Sequence, residues 1–144
     1  MKIASRDGKP VFVFCHWPIN QTHGLPVTFQ DHIDDPKSGG LGDQSDEVEA
    51  ILQKYQNVFY ITGHIHNGVT NTLTSKIFDY SSIEKRGNLT LVNCPSYQFF
   101  TDRGIMVNGT GFVFEVYDDF VLIRTRDYIG GFWFDNYEFK IDVK

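Results

Sequence analysis

The chain has 144 residues, 41% of them hydrophobic and 22% charged, which suits one globular domain with a real core and argues against disorder. A formal net charge of -5 with no Lys/Arg cluster excludes a nucleic-acid binder that works through a basic surface, because phosphate contacts need clustered cations. No apolar run approaches the roughly 18 residues of a membrane-spanning helix, so no membrane segment is expected.

In chain order, residues 1 to 9 read as a polar lead-in, with Asp7-Gly8 as a turn. Pro10-Val11-Phe12-Val13-Phe14-Cys15 is then a continuous apolar run, the pattern of a buried strand, and it ends in His16, Trp17 and Pro18. The two cysteines, Cys15 and Cys94, sit beside or inside such runs and read as buried thiols, with a disulfide as the open alternative. From Asn20 to Gly42 the sequence has no periodicity and is rich in Gly, Pro and Asp. A loop of that length is usually functional or mobile. It carries His23, Asp31, His32, Asp34 and Asp35, and two readings stay open: a solvated surface loop, or a lid in which His23 touches a substrate.

Asp46 with Glu49 three positions on can cap a helix running to Gln56. Val48, Ile51, Leu52 and Tyr55 form its apolar stripe. Val58 to Ile61 is the second apolar run, and it breaks at Gly63 into His64-Ile65-His66. Strand, helix, strand is nearly always a right-handed crossover between parallel strands. Both strands then end on one edge of the sheet, where open α/β sheets keep their ligand sites. With strands about 4.8 Å apart and metal-nitrogen bonds of about 2.0 to 2.1 Å, His16, His64 and His66 are placed to share one or two ions. Any one of them alone reads as an ordinary surface or hydrogen-bonded histidine.

An isolated His after a strand, followed past a helix by Gly63-His64-Ile65-His66 after the next strand, resembles the last two motifs of the calcineurin-like metallophosphoesterases. The resemblance covers roughly residues 9 to 95. It implies a dinuclear centre of two divalent ions, Mn, Fe or Zn, in which His16 and His64 hold one ion and His66 the other. Such a centre activates water and clamps the attacking and leaving oxygens during hydrolysis of a phosphate mono- or diester. Neutral imidazoles suit all three metals. The family's earlier motifs, DxH, GDxxD and GNH, lie before the isolated His, and only 15 residues precede His16 here. Two local spellings are decoys: Gly42-Asp43-Gln44-Ser45-Asp46 follows a Gly-rich loop and reads as a turn with a helix cap, and Gly87-Asn88 lacks the His and reads as a turn.

Beyond Gly68 the segment Val69 to Ile77 reads as a strand or as a loop over the site. Ile83 to Arg86 and Leu89 to Asn93 read as a hairpin through Gly87-Asn88. Phe112 to Tyr117 and Val121 to Arg126 flank Asp118-Asp119-Phe120 as a second hairpin. The tail Tyr128 to Phe139 is rich in aromatics, which either pack or stack on a base or sugar. Its end alternates Glu138, Lys140 and Asp142 with Phe139, Ile141 and Val143, the pattern of a half-exposed strand.

The expected fold class is therefore α/β (α+β): a partial metallophosphoesterase-type β-sandwich, one βαβ unit followed by antiparallel strands. Residues 1 to 144 form a single domain, expected to be the C-terminal part of a metallophosphoesterase domain, with the loop at 20–42 and an antiparallel β tail at 110–144. The resemblance makes the N-terminal half of the same domain a partner, together with a phosphate-ester substrate. It also suggests that the isolated chain is inactive and, through its uncovered surface, a homodimer. The alternative is a non-catalytic β-rich binding or structural module whose histidines are incidental.

Overall fold

The structure, a computed structural model, describes residues 8–29, 32–70, 80–97 and 109–143. The readings of residues 1 to 7, of Asp31 and of most of Val69 to Ile77 therefore lie outside the described residues. Seven strands and one α-helix are formed among them, in two sheets. The chain is thus mixed α and β, with strands dominant.

The first sheet grows from the two apolar runs. Strand β1 (Val11–Phe14) and strand β2 (Val58–Thr62) are parallel neighbours in the register Val11 to Val58 through Phe14 to Ile61, and helix α1 (Ser45–Leu52) lies between them in sequence. This is the βαβ unit that the sequence leads one to expect. Strands β3 (Ile83–Arg86) and β4 (Leu89–Asn93) form the expected hairpin, and β4 docks parallel to β2, so the sheet order is β1-β2-β4-β3. Gly87 takes the first turn position at φ 57°, a region that glycine enters without steric cost. A methyl group there would come within 2.6 Å of Gln53 Oε1. Gln53 fills that space because it clamps the turn: its amide donates to the Arg86 carbonyl at 2.8 Å and accepts from the Asn88 N–H at 3.0 Å.

All five residues of β2 and of β4 are buried, as expected of strands covered on both faces. One face carries Val58, Tyr60, Leu89 and Leu91 against Leu52, Val48 and Tyr55 of the helical segment. The other carries Phe59, Ile61 and Val92 against Val121, Ile123, Phe139 and Ile141 of the second sheet. That sheet consists of β5 (Thr110–Val116), β6 (Phe120–Asp127) and β7 (Phe132–Asp142), antiparallel in the order β5-β6-β7. The layers are therefore helix, parallel-rich sheet and antiparallel sheet. β7 alternates as expected, with Phe139 and Ile141 buried between exposed Glu138, Lys140 and Asp142.

Three details of the sequence reading need correction. The helix starts at Ser45 and ends at Leu52, and no side chain caps its N-terminus. The chain enters through a 3-10 turn, Gly42–Gln44, with Gln44 already in helical geometry, so no residue takes the extended conformation that an N-cap needs. The Ser45 hydroxyl instead accepts the Asn20 N–H at 2.8 Å. Second, Ile51 of the proposed stripe is exposed. Third, β1 is covered on both faces only at its start, since Phe14 is 74% exposed.

In the aromatic tail, Trp133 lies under the guanidinium groups of Arg124 (4.0 Å) and Arg126 (4.7 Å), and Arg124 also pairs with Glu115 and Glu138. Packing explains Trp133, Tyr137 and Phe139, whereas Tyr128 and Phe132 remain exposed. No helix among the described residues is long and apolar enough to cross a membrane, which leaves β-barrels out of account.

Candidate metal centre

Parallel pairing of β1 and β2 brings their C-terminal exits side by side. Cys15 N–H bonds to the Ile61 carbonyl at 3.0 Å, and Gly63 N–H reaches the His16 carbonyl at 3.4 Å. The imidazoles that follow meet: His16 Nε2 lies 3.2 Å from His64 Nδ1, with ring centroids 5.1 Å apart. Two nitrogens bound to one ion at about 2.0 to 2.1 Å in tetrahedral geometry lie about 3.3 Å apart. The observed spacing therefore fits a shared ion as well as it fits an N–H···N hydrogen bond.

The electrostatics favour the ligating form of His64. Partial burial, then the neighbouring His16, then His66 all hold its pKa below the ordinary value. It is therefore a neutral imidazole near neutral pH, the form that offers a lone pair to a metal. His66 is exposed and acts on His64 through space. Among the described residues no group of three or more His, Cys, Asp or Glu is close enough to hold an ion. His16 and His64 are the pair in contact, and His66 lies within electrostatic range of His64.

Asn93, the last residue of β4, is not among the residues expected at the site, yet it holds this loop. It is fully buried, and its Nδ2 donates to the Ile65 carbonyl at 2.7 Å and to the Tyr80 hydroxyl at 3.1 Å. Its Oδ1 accepts the Ile65 N–H at 3.3 Å. Ile65, between the two motif histidines, is thus fixed through both backbone groups by one side chain. The available signal was a polar residue closing an apolar strand at the sheet edge where ligand sites form. Trp17, also without an assigned role, lies over His64 with ring centroids 3.9 Å apart.

His23 is placed otherwise than the lid reading has it. It is 1% exposed, and its Nδ1 sits 2.7 Å from the Ser81 carbonyl, to which it donates in the tautomer that satisfies both groups. The neighbouring Leu25 packs against Ile65 and Tyr80. This part of the loop therefore buries itself behind the motif histidines, and His23 is not presented to a substrate. The solvated-loop reading holds only further on: His32 to Lys37 are exposed, and Lys37 pairs with Asp43 there. Cys15 and Cys94 are free, partly buried thiols, and burial pushes Cys94 up to about 11, so it stays protonated.

Burial also holds the His23 pKa below the ordinary 6.5, offset in part by the charge of Glu84 and the Ser81 hydrogen bond. The unfolded chain takes up a proton near pH 6.5 and the folded chain resists until lower pH. His23's contribution to stability is thus full above about 6.5 and is lost as pH falls from there toward the lowered folded value. The urea midpoint is expected to drop between pH 7 and pH 5, with a shallower drop in His23→Gln. His64 adds a residual slope of the same sign. An unchanged slope in His23→Gln would assign the pH dependence elsewhere.

Comparison of the chain with protein-family models, with curated proteins and with solved structures finds no match.

Proposed function

We propose that the chain carries the metal-binding edge of a calcineurin-like metallophosphoesterase that hydrolyses phosphate mono- or diesters when its ligand set is complete. The supporting observation is the meeting of His16 and His64 at 3.2 Å from the exits of two adjacent parallel strands. In this reading His16 and His64 hold one divalent ion and His66 a second, with Mn, Fe or Zn as the candidates. When bound, such ions supply Lewis-acid stabilisation to the oxygens of an in-line displacement at phosphorus. The chain's own contribution is positional: Asn93 fixes the loop, Trp17 covers one face of His64, and burial keeps His64 neutral. A complete site in this reading needs further ligands, carboxylates among them. Among the described residues β1 is an edge strand of its sheet, and its Phe14 stands exposed.

Calorimetric titration with Zn²⁺ or Mn²⁺ tests this reading. Saturable binding is expected, weakened roughly 100-fold or more in His64→Ala, since loss of even an outer-sphere partner costs 10- to 100-fold. Binding unaffected by both His16→Ala and His64→Ala would favour the non-catalytic module. The chain by itself is expected to hydrolyse an aryl phosphate negligibly with added manganese. Turnover that scales with protein and vanishes in His64→Ala would show that the three histidines suffice. In sedimentation at micromolar concentration the chain is expected to run as a dimer or larger, joined through the open β1 side; a stable monomer would contradict that part.

A further inference from the structure

Trp17 is an apolar side chain at the candidate metal edge, and it is 44% exposed. One part of its ring is committed to the histidines: its centroid lies 3.9 Å from that of His64 at an interplanar angle of 41°, and 5.5 Å from that of His16 at 84°. Its backbone is held at its own carbonyl and at that of the next residue. The Trp17 carbonyl accepts the hydroxyl of buried Tyr60 at 2.9 Å, and the next residue, buried Pro18, accepts the Leu41 N–H at 2.9 Å.

An indole in contact with a candidate ligand and 44% exposed, on a hydrogen-bonded backbone, offers a stacking surface beside the metal edge. Shielding of the imidazoles alone needs no open face. A ring stacked on the outer side of Trp17 would lie about 8 Å from the His64 imidazole. That is about the reach of an ester linking a phosphate at the histidines to a flat ring. Resting on the phosphoesterase reading, we propose that Trp17 is a substrate-binding residue that selects phosphate esters whose alcohol carries an aromatic ring, aryl or nucleobase.

Adenosine 5′-phosphate and ribose 5-phosphate differ only in the base and make the test. With Zn²⁺ present, calorimetry on the full chain is expected to show adenosine 5′-phosphate binding roughly tenfold or more tighter, the scale of one base on one aromatic ring. In Trp17→Leu the two affinities should converge on that of ribose 5-phosphate. Trp133→Phe leaves Trp17 as the single tryptophan of the two in the chain. Its fluorescence should then be quenched by the nucleotide and little changed by the sugar phosphate. Equal affinities in the parent chain, or a preference that survives in Trp17→Leu, would overturn the stacking role while zinc-dependent, His64-dependent binding of ribose 5-phosphate left the phosphoesterase reading standing. Failure of both phosphates to bind would overturn the two together.

Discussion

Replacing Asn93 with leucine is expected to destabilise the fold by about 3 to 5 kcal/mol and to weaken metal binding at the same time. The amide is fully buried and serves the N–H and carbonyl of Ile65 and the hydroxyl of Tyr80. Leucine fills a similar volume and takes their partner from the buried N–H and carbonyl of Ile65, at about 1 to 3 kcal/mol each before relaxation. The Tyr80 hydroxyl loses one donor but keeps its own bond to the Gly68 carbonyl at 3.1 Å. Asn93→Asp keeps the acceptor toward the Ile65 N–H but sets an oxygen against the Ile65 carbonyl in a buried site, so it should also destabilise. Urea denaturation gives the stability change, and zinc titration of the folded fraction gives the effect on the site. A leucine variant of parental stability would mean that the loop is held by other contacts.

Phe59→Ala is expected to cost about 3 to 5 kcal/mol, the range for an aromatic removed from a closed core. Phe59 is fully buried between the sheets, in the same cluster as Ile123 and Phe139, and stacks on Phe12 with centroids 5.2 Å apart. Its loss opens a cavity that two sheets pinned by their own hydrogen bonds cannot readily close. The control is Phe132→Ala at the exposed start of β7, expected within about 0.5 kcal/mol of the parent chain. Equal effects at the two positions would mean that the two sheets do not share a core.

What could be read from the sequence follows the range of the interactions. The apolar runs at Val11 to Phe14 and Val58 to Ile61 carry their own signal, and the crossover rule turns them into parallel neighbours that deliver His16 and His64 to one edge. Both hairpins and the alternation of β7 were legible for the same reason, since turn residues and period-two patterns are local. The rest depended on partners far away in the chain. His23 is fixed by Ser81 and Asn93 by Ile65, which no local pattern announces. Leu25 packs in a small cluster with Ile65 and Tyr80, so the segment from Asn20 onward looked like solvated loop although its first part is buried. The cap expected at Asp46 is absent because the 3-10 turn Gly42–Gln44 runs straight into the helix and leaves Asp46 inside it.

The central claim is that the His16–His64 pair is a metal site, and crystals grown with zinc test it most directly through anomalous scattering at the zinc edge. The account predicts a peak about 2.0 to 2.1 Å from both His16 Nε2 and His64 Nδ1. Full occupancy of zinc elsewhere, with the two imidazoles still 3.2 Å apart and no peak between them, would contradict it.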